Sequence, residues 1–237
     1  MKTFLKTLIA IYKQFPFLSY LWNKLPNKLL LPVTVGDTTI RVYKGHWAAI
    51  ASGTYEPETL KTFDELIEEG LHFLDVGANV GLFSNIAASR GAKVSSFEPH
   101  PEIRNVLERN LRDLQANIYN FAASDLEEEV KLYLSDEPGS HSLNMKNAEY
   151  VQVQAVQLDN VIKENVHLIK IDVEGAEVKA LKGMHNILLK NKPTLIIEVD
   201  EEHLNRFGED FNSLKTLLEQ YGYKGQRISN ENNYLFR

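Results

Sequence analysis

The stretch from His72 to Leu82 reads HFLDVGANVGL and decides the fold. Its apolar start is typical of a buried strand, and the spacing Asp-x-Gly-x-x-x-Gly follows at once, from Asp75 to Gly81. Glycines at Gly77 and Gly81 let the backbone turn sharply and let a ligand approach the bare main chain. The stretch therefore predicts a strand, a ligand-binding loop and a helix in succession.

The spacing of the glycines distinguishes a dinucleotide-binding site from a site for a nucleoside without a pyrophosphate. A dinucleotide fingerprint needs Gly-x-Gly-x-x-Gly, and Asn79 and Leu82 stand where its second and third glycines would be. The spacing present is instead the one used for nucleosides without a pyrophosphate, above all S-adenosylmethionine. We expect Asp75 to orient the loop and the methionine ammonium group of that cofactor. The remaining predicted loop contacts are Gly77, Ala78, Asn79 and Gly81.

A second acid stands at the end of the next predicted strand. The run 94–97 ends at Glu98, and Pro99 follows it. A carboxylate at the tip of this strand can accept hydrogen bonds from both ribose hydroxyls, as in related α/β nucleotide sites. We therefore assign Glu98 and Pro99 to the cofactor site. Ala123 and Asp125 follow the third strand, and Asp125 is the candidate for the adenine amino group.

Composition limits the classes of function. A chain of 237 residues, 43% hydrophobic and 24% charged, fits one α/β domain with a short extension. It has no cysteine, which excludes disulfides and thiolate metal sites. Its first apolar stretch is too short for a secretory signal, so we expect a cytoplasmic location. The net charge of −6 argues against a nucleic-acid partner, since phosphate contacts need clustered Lys and Arg.

Residues 1–36 differ from the rest because they contain five lysines and no acid. At 100° per residue, apolar side chains in residues 2–15 fall on one side of a helix and lysines on the other. Pro16 favours the start of a second short helix. We assign residues 1–45 to amphipathic helices and a hairpin, and residues 46–237 to the main domain. The helix pair either caps the domain core or brings residues 1–30 to a membrane surface as a peripheral contact.

After the hairpin predicted at 33–43, strand and helix patterns alternate. Strands are predicted at 71–76, 93–97, 117–122, 130–134, 151–156, 167–172 and 194–199, with a final pair at the end. Helices are predicted at 58–69, 82–89, 101–114, 176–190 and 210–221. Such alternation indicates a doubly wound α/β fold, with a mostly parallel sheet covered by helices on both faces. In such folds the ligand lies beyond the carboxyl ends of the strands.

Further motifs at these strand ends resemble a known family. They are Phe97-Glu98-Pro99, Leu158-Asp159-Asn160, IKIDVEGAE at 169–177 and Ile196-Ile197-Glu198, with Tyr55-Glu56-Pro57 ahead of the first strand. Together with 72–81, they resemble the FkbM family of S-adenosylmethionine-dependent methyltransferases over roughly residues 50–200. The resemblance implies the seven-stranded class I methyltransferase sheet. It also implies methyl transfer to oxygen, usually on the hydroxyl of a sugar, glycan or natural-product small molecule.

Transfer to a hydroxyl needs an aligned acceptor and a base for its proton. Lys170, Asp172 and Glu174 alternate along one predicted strand and its exit, so they project to the same side. We predict that Asp172 orients or deprotonates the acceptor, with Glu174 as its neighbour in the pocket and Lys170 as its charge partner. The alternative is an ion pair that only organises the pocket.

Three more residues are candidates for the acceptor side. Glu56 is expected in a segment that closes over the pocket, and His141 in a polar loop that overhangs it, although a surface histidine is the alternative. Glu198 ends a neighbouring strand, and with Asp172 it could hold a divalent ion through oxygen ligands. We disfavour that ion and predict no metal site.

Two other functions stay open. One is an N-methyltransferase acting on a small molecule, since such enzymes often need no strong base. The other is a catalytically inactive, nucleoside-binding protein that works as a membrane-attached partner.

Overall fold

The computed structural model describes residues 24–26, 28–134, 142–144 and 149–237. They form two compact units that divide at Pro57. The helices predicted before residue 24 lie outside the described residues, and the domain boundary after residue 45 stays a prediction. Within the described ranges, no helix is long and apolar enough to cross a membrane.

The first unit contains the predicted hairpin. Strands β1 (Leu30–Val35) and β2 (Thr38–Tyr43) pair antiparallel around a turn in which Gly36 has φ +59°. Helix α1 (Lys44–Ser52) follows β2 directly. It was not predicted because it has no apolar stripe: Lys44 is its buried residue, and the Lys44 ammonium donates to the Leu25 carbonyl at 2.7 Å.

The second unit alternates strands and helices, as predicted. Its helices are α2 (Pro57–Leu66, beginning at the dividing residue), α3 (Leu82–Ser89), α4 (Pro101–Asn110), α5 (Leu158–Val161), α6 (Glu177–Lys182), α7 (His185–Asn191), α8 (Glu201–Arg206) and α9 (Phe211–Gln220). Its strands are β3 (His72–Val76), β4 (Lys93–Phe97), β5 (Ala116–Tyr119), β6 (Phe121–Ala123), β7 (Glu128–Tyr133), β8 (Tyr150–Val156), β9 (Leu168–Ile171), β10 (Thr194–Glu198), β11 (Gly225–Arg227) and β12 (Asn233–Phe236).

The main sheet has seven strands in the order β11-β12-β10-β9-β3-β4-β5. Strands β10, β9, β3, β4 and β5 are mutually parallel, and β12 is antiparallel to both of its neighbours. This confirms the mostly parallel, seven-stranded α/β fold. Strand order reverses at β3, which has β4 on one side and β9 on the other. The carboxyl ends of these three strands therefore form the crevice where such sheets bind ligands.

Buried apolar side chains cover both faces of the sheet. Successive residues of β3 enter different clusters: Phe73 packs with Phe63 of α2 and Phe83 of α3, whereas Leu74 packs with Leu181 of α6. Because side chains alternate along a strand, a strand buried on both faces reads as a continuous apolar run. This is why Phe73 and Leu74, which enter clusters on opposite faces of the sheet, are both apolar.

The structure corrects two predicted elements. The strand predicted at 117–122 is divided: β5 stays in the main sheet, while β6 pairs with β8 in a second sheet of order β6-β8-β7. The helix predicted at 176–190 is broken near Gly183, where an ideal Cβ would lie 1.9 Å from the carbonyl oxygen of Ser124. Both differences come from contacts between distant segments, which a local pattern does not reveal.

Candidate functional site

A cleft lies at the carboxyl ends of β3, β4, β6 and β9. Ile103, Leu132 and Leu143 give it apolar walls. The predicted site residues that line it are Gly77, Asn79, Glu98, Pro99, Ala123, Asp172 and Glu174. The structure therefore brings most of the predicted cofactor residues together with two of the three predicted catalytic residues.

The loop after β3 is held by the neighbouring strand. The backbone N–H groups of Gly77 and Ala78 both donate to the carbonyl of Phe97, at 3.0 and 2.9 Å. Three loop residues have left-handed backbones, with φ of +86° at Gly77, +51° at Asn79 and +87° at Gly81. An ideal Cβ on Gly81 would lie 2.5 Å from the Leu107 side chain. Glycine is therefore favoured at positions 77 and 81 for two reasons: the backbone is left-handed, and at Gly81 a side chain would collide with Leu107.

Glu98 joins this loop to the end of β4. Its Oε2 accepts from the Asn79 N–H at 3.0 Å, and its Oε1 accepts from the His100 N–H at 2.8 Å. Burial raises the pKa of Glu98 to about 7, while these two hydrogen bonds act in the opposite direction. Each carboxylate oxygen has two lone pairs, so each can also accept a hydroxyl from a ligand in the cleft.

Asp75 lies behind the loop rather than among the residues that line the cleft. Its Oδ2 accepts from the Ser84 N–H at 3.0 Å and from the Ser84 hydroxyl at 2.5 Å. The Ser84 hydroxyl is also 2.7 Å from that of Ser96. Burial raises the pKa of Asp75 to about 6. Asp75 thus ties β3 to the first turn of α3, and its contact with a methionine ammonium stays a prediction.

Lys170 and Asp172 meet at the end of β9. The Lys170 ammonium is 3.5 Å from Asp172 Oδ2, and it lies over the ring of Phe83 at 5.5 Å from the centroid. The Lys170 side chain is 1% exposed, whereas that of Asp172 is 29% exposed. Lys170 is therefore a buried charge beneath the cleft, and Asp172 is the member of the pair that faces the cleft.

Glu174 contacts a residue that was not among the predicted site residues. Its Oε2 lies 2.7 Å from Nδ1 of His203, in α8. Glu174 has φ +55°, and its carbonyl accepts from the Ser142 hydroxyl at 2.9 Å. Burial, and then the charges of Asp172 and Glu177, raise the pKa of Glu174 to about 8. The family resemblance pointed to a histidine soon after Glu198, but it did not identify His203, because four residues separate the two in this chain.

Glu177 supports the turn that carries Glu174. Its Oε1 accepts from the N–H groups of Val173 and Gly175, both at 3.1 Å. Its Oε2 is buried and has no hydrogen-bond partner among the described residues. Burial raises the pKa of Glu177 to about 7. This carboxyl group therefore fixes the backbone between β9 and α6.

The other predicted residues are not among those that line this cleft, or they lie outside the described ranges. Asp125 follows β6 and accepts from the Ser124 hydroxyl at 3.3 Å. Glu198 ends β10, Glu56 belongs to the first unit, and His141 lies outside the described residues. No cluster of three or more His, Cys, Asp or Glu side chains that could hold a metal ion occurs within the described part of the chain.

Comparisons with known proteins agree with this fold. Residues 75–224 match the methyltransferase FkbM domain. The AMB antimetabolite synthetase AmbE of Pseudomonas aeruginosa is 30% identical over a match covering 64% of this chain and 9% of that protein. The hexuronic acid methyltransferase AglP of Haloferax volcanii is 29% identical, over 56% of this chain and 58% of that protein. The chain thus spans less than two thirds of either relative.

A solved structure gives the same fold. The crystal structure of methyltransferase FkbM from Methylobacillus flagellatus superposes with a TM-score of 0.53 at 19% identity, covering 81% of this chain and 54% of that one. At this identity the likeness concerns the fold alone.

Proposed function

Because the chain belongs to the FkbM methyltransferase domain family, we propose that it transfers a methyl group from S-adenosylmethionine to a hydroxyl oxygen of a sugar, glycan or natural-product small molecule. One observation carries the proposal. Gly77 of the loop after β3, Glu98 after β4, and Asp172 and Glu174 after β9 all line the same cleft. The residues predicted to bind the cofactor and the carboxylates predicted on the acceptor side thus line one cleft.

The charge of this cleft supports a cationic cofactor. The ionisable side chains that line it, among the described residues, are Glu98, Asp172 and Glu174, all of them acids. A sulfonium cation is attracted by such a lining, whereas the pyrophosphate of a dinucleotide is repelled. With the ribose hydroxyls on Glu98, the methionine part of the cofactor would extend past the Gly77 turn. Glu98 and the glycine loop therefore support S-adenosylmethionine over NAD.

The acidic side chains that line the cleft also limit the chemical class of the acceptor. The name of the relative AglP supports a sugar as the class of acceptor. A carboxylate on the acceptor would be repelled by Asp172, and its charge would add to the burial and the neighbouring acids that already disfavour ionisation of Glu174. We therefore propose a neutral or amine-bearing sugar or small molecule, modified at a hydroxyl, in place of a uronic acid.

Oxygen is favoured over nitrogen as the methylated atom because the cleft contains base candidates. A hydroxyl must lose its proton as the methyl bond forms, and a carboxyl group with a raised pKa is a better base than an ordinary one. The raised pKa of Glu174, about 8, fits that task.

The experiment is transfer of labelled methyl from S-adenosylmethionine to a panel of sugars, glycolipids and small alcohols by the full chain. We expect label in an ether linkage, with neutral acceptors preferred to uronic acids. Glu98→Ala should abolish transfer by weakening cofactor binding, and exposed Glu65→Ala in α2 is the matched control. Label on nitrogen would contradict oxygen transfer, and calorimetry without S-adenosylmethionine binding would contradict the function itself.

A further inference from the structure

Glu174 and His203 form a carboxyl–imidazole pair at the edge of the cleft. Glu174 follows β9 and lines the cleft, and His203 lies in α8. Nδ1 of His203 is 2.7 Å from Oε2 of Glu174, with the two side chains 28% and 18% exposed. A histidine held through one ring nitrogen by a carboxylate has its other nitrogen available to accept a proton. The pair therefore has the arrangement of a general base and its orienting acid.

The backbone around the pair fixes its geometry. An ideal Cβ on Gly175 would lie 2.4 Å from the His203 carbonyl oxygen, so α8 packs directly on the turn after Glu174. Asp200 caps α8 by accepting from the His203 N–H at 3.1 Å, and Ser142 donates to the Glu174 carbonyl at 2.9 Å. The left-handed backbone of Glu174, φ +55°, is costly for a residue other than glycine and persists where surrounding contacts impose it.

Four charged side chains act on the pKa of Glu174. They are the carboxylates of Asp172, Glu177 and Asp200 and the guanidinium of Arg206. Burial first, and then the three acids, raise the pKa of Glu174 to about 8, while Arg206 acts in the opposite direction. The pKa of Glu174 is thus held close to neutral pH, where general bases are most effective.

We propose that the His203–Glu174 pair, rather than Asp172, takes the proton of the acceptor hydroxyl, which rests on the methyltransferase function proposed above. The acceptor oxygen forms a bond to the methyl carbon while the carbon–sulfur bond breaks, and that electron pair stays on sulfur as a neutral thioether. The hydroxyl proton passes to Nε2 of His203, whose Nδ1–H is donated to Glu174. The carboxylate stabilises the imidazolium until the proton leaves to water.

Asp172 then has a different task. Its carboxylate is engaged by the buried Lys170 ammonium at 3.5 Å and is the more exposed member of that pair. This arrangement suits a fixed hydrogen-bond acceptor that orients the hydroxyl. Asp172 is therefore a positioning residue in this scheme.

The coupling of the pair is tested first without an acceptor. Carboxyl ¹³C NMR of the full chain, labelled at glutamate, follows the Glu174 resonance, which is assigned by its loss in Glu174→Gln. We expect its titration midpoint near pH 8 and a shift of that midpoint in His203→Gln. His185→Gln, which removes a histidine paired with Tyr221, is the matched control and leaves the midpoint unchanged. A midpoint at an ordinary glutamate pKa that is the same in His203→Gln overturns the proposal.

Turnover gives the second test. On the acceptor found by methyl labelling, His203→Gln and Glu174→Gln should each lower transfer by about 10²–10⁴-fold. Calorimetry should give an unchanged affinity for S-adenosylmethionine, and the rise of rate through about pH 8 should disappear. Near-normal transfer by His203→Gln overturns the proposal while leaving the methyltransferase function in place. Conversely, absence of cofactor binding removes the proposed function, and the NMR titration still decides whether the pair is coupled.

Discussion

The carbonyl oxygen of Asp172 occupies the space that a side chain on Gly77 would need, 1.8 Å from an ideal Cβ. Gly77 begins the loop after β3, and Asp172 follows the adjacent strand β9. The Asp172 N–H also donates to the Val76 carbonyl at 2.9 Å. This contact fixes the distance between the loop proposed to bind the cofactor and the carboxylates proposed to face the acceptor, so one added methyl group would disturb both.

Gly77→Ala should therefore destabilise the fold and abolish cofactor binding. The clash with Asp172 adds to the cost of a left-handed backbone, and we expect a loss of about 4 kcal/mol or more in urea unfolding. Gly70→Ala is the control, because Gly70 has φ +80° with nothing within 4 Å of an ideal Cβ. It should lose only about 1–2 kcal/mol. Equal losses in the two variants would show that the close approach is unimportant.

Affinity for S-adenosylmethionine should depend on pH through Glu98. Burial raises the pKa of Glu98 to about 7, so this carboxyl group becomes protonated as pH falls below that value. A protonated group accepts ribose hydroxyls poorly, and we expect up to about tenfold weaker binding per pH unit. In calorimetry between pH 5.5 and 8, Glu98→Gln should bind weakly without this dependence, while Glu65→Gln behaves as wild type. A wild-type affinity independent of pH would reject the ribose assignment.

Stability should fall as pH rises, partly because of Glu177. Burial raises the pKa of Glu177 from 4.5 to about 7. Between these values the folded chain keeps a proton that the unfolded chain has lost, so the free energy of unfolding decreases with rising pH. Glu177→Gln keeps an oxygen for the Val173 and Gly175 N–H groups but cannot ionise. The difference in urea midpoint between pH 5 and pH 8 should shrink in this variant and persist in Glu65→Gln; an undiminished difference contradicts the assignment.

The basic, amphipathic pattern of residues 1–30 predicts binding to anionic lipid vesicles. Because the attraction is partly Coulombic, we expect binding to weaken as salt rises. Replacing Lys2, Lys6 and Lys13 by Gln in the full chain should weaken it, while Lys190→Gln in α7 should not. If a chain lacking residues 1–30 binds vesicles equally well, only the core-capping interpretation remains.

The sequence predicted those parts of the fold in which one short segment contains the whole signal. The apolar run of β3 and the glycines that follow identify strand, loop and helix without reference to other segments. By contrast, the division between β5 and β6 depends on pairing with β8, and the break at Gly183 depends on the Ser124 carbonyl. Partners so distant in the chain leave no trace in local periodicity.

The site residues also fall into those that a short segment predicts and those that depend on contacts between distant segments. Glu98 follows its strand directly and lines the cleft as predicted. Asp75 lies within β3, where alternation turns its side chain, like that of Phe73, towards α3. The position of an acid relative to the last residue of its strand therefore decides whether it lines the cleft. Glu98 follows the last residue of β4, whereas Asp75 precedes the last residue of β3. The contact between His203 and Glu174 could not be predicted in this way, because it forms only when α8 packs on the turn after β9.

The position of β12 has a consequence for biosynthesis. This strand, Asn233–Phe236, lies between β10 and β11 in the main sheet. While the ribosome has yet to release these residues, β10 is an open edge with unpaired backbone groups and an apolar sequence. Such edges recruit strands from other chains. A nascent chain that lacks β12 is therefore prone to aggregate, and slow translation of this segment would lower the yield of folded protein.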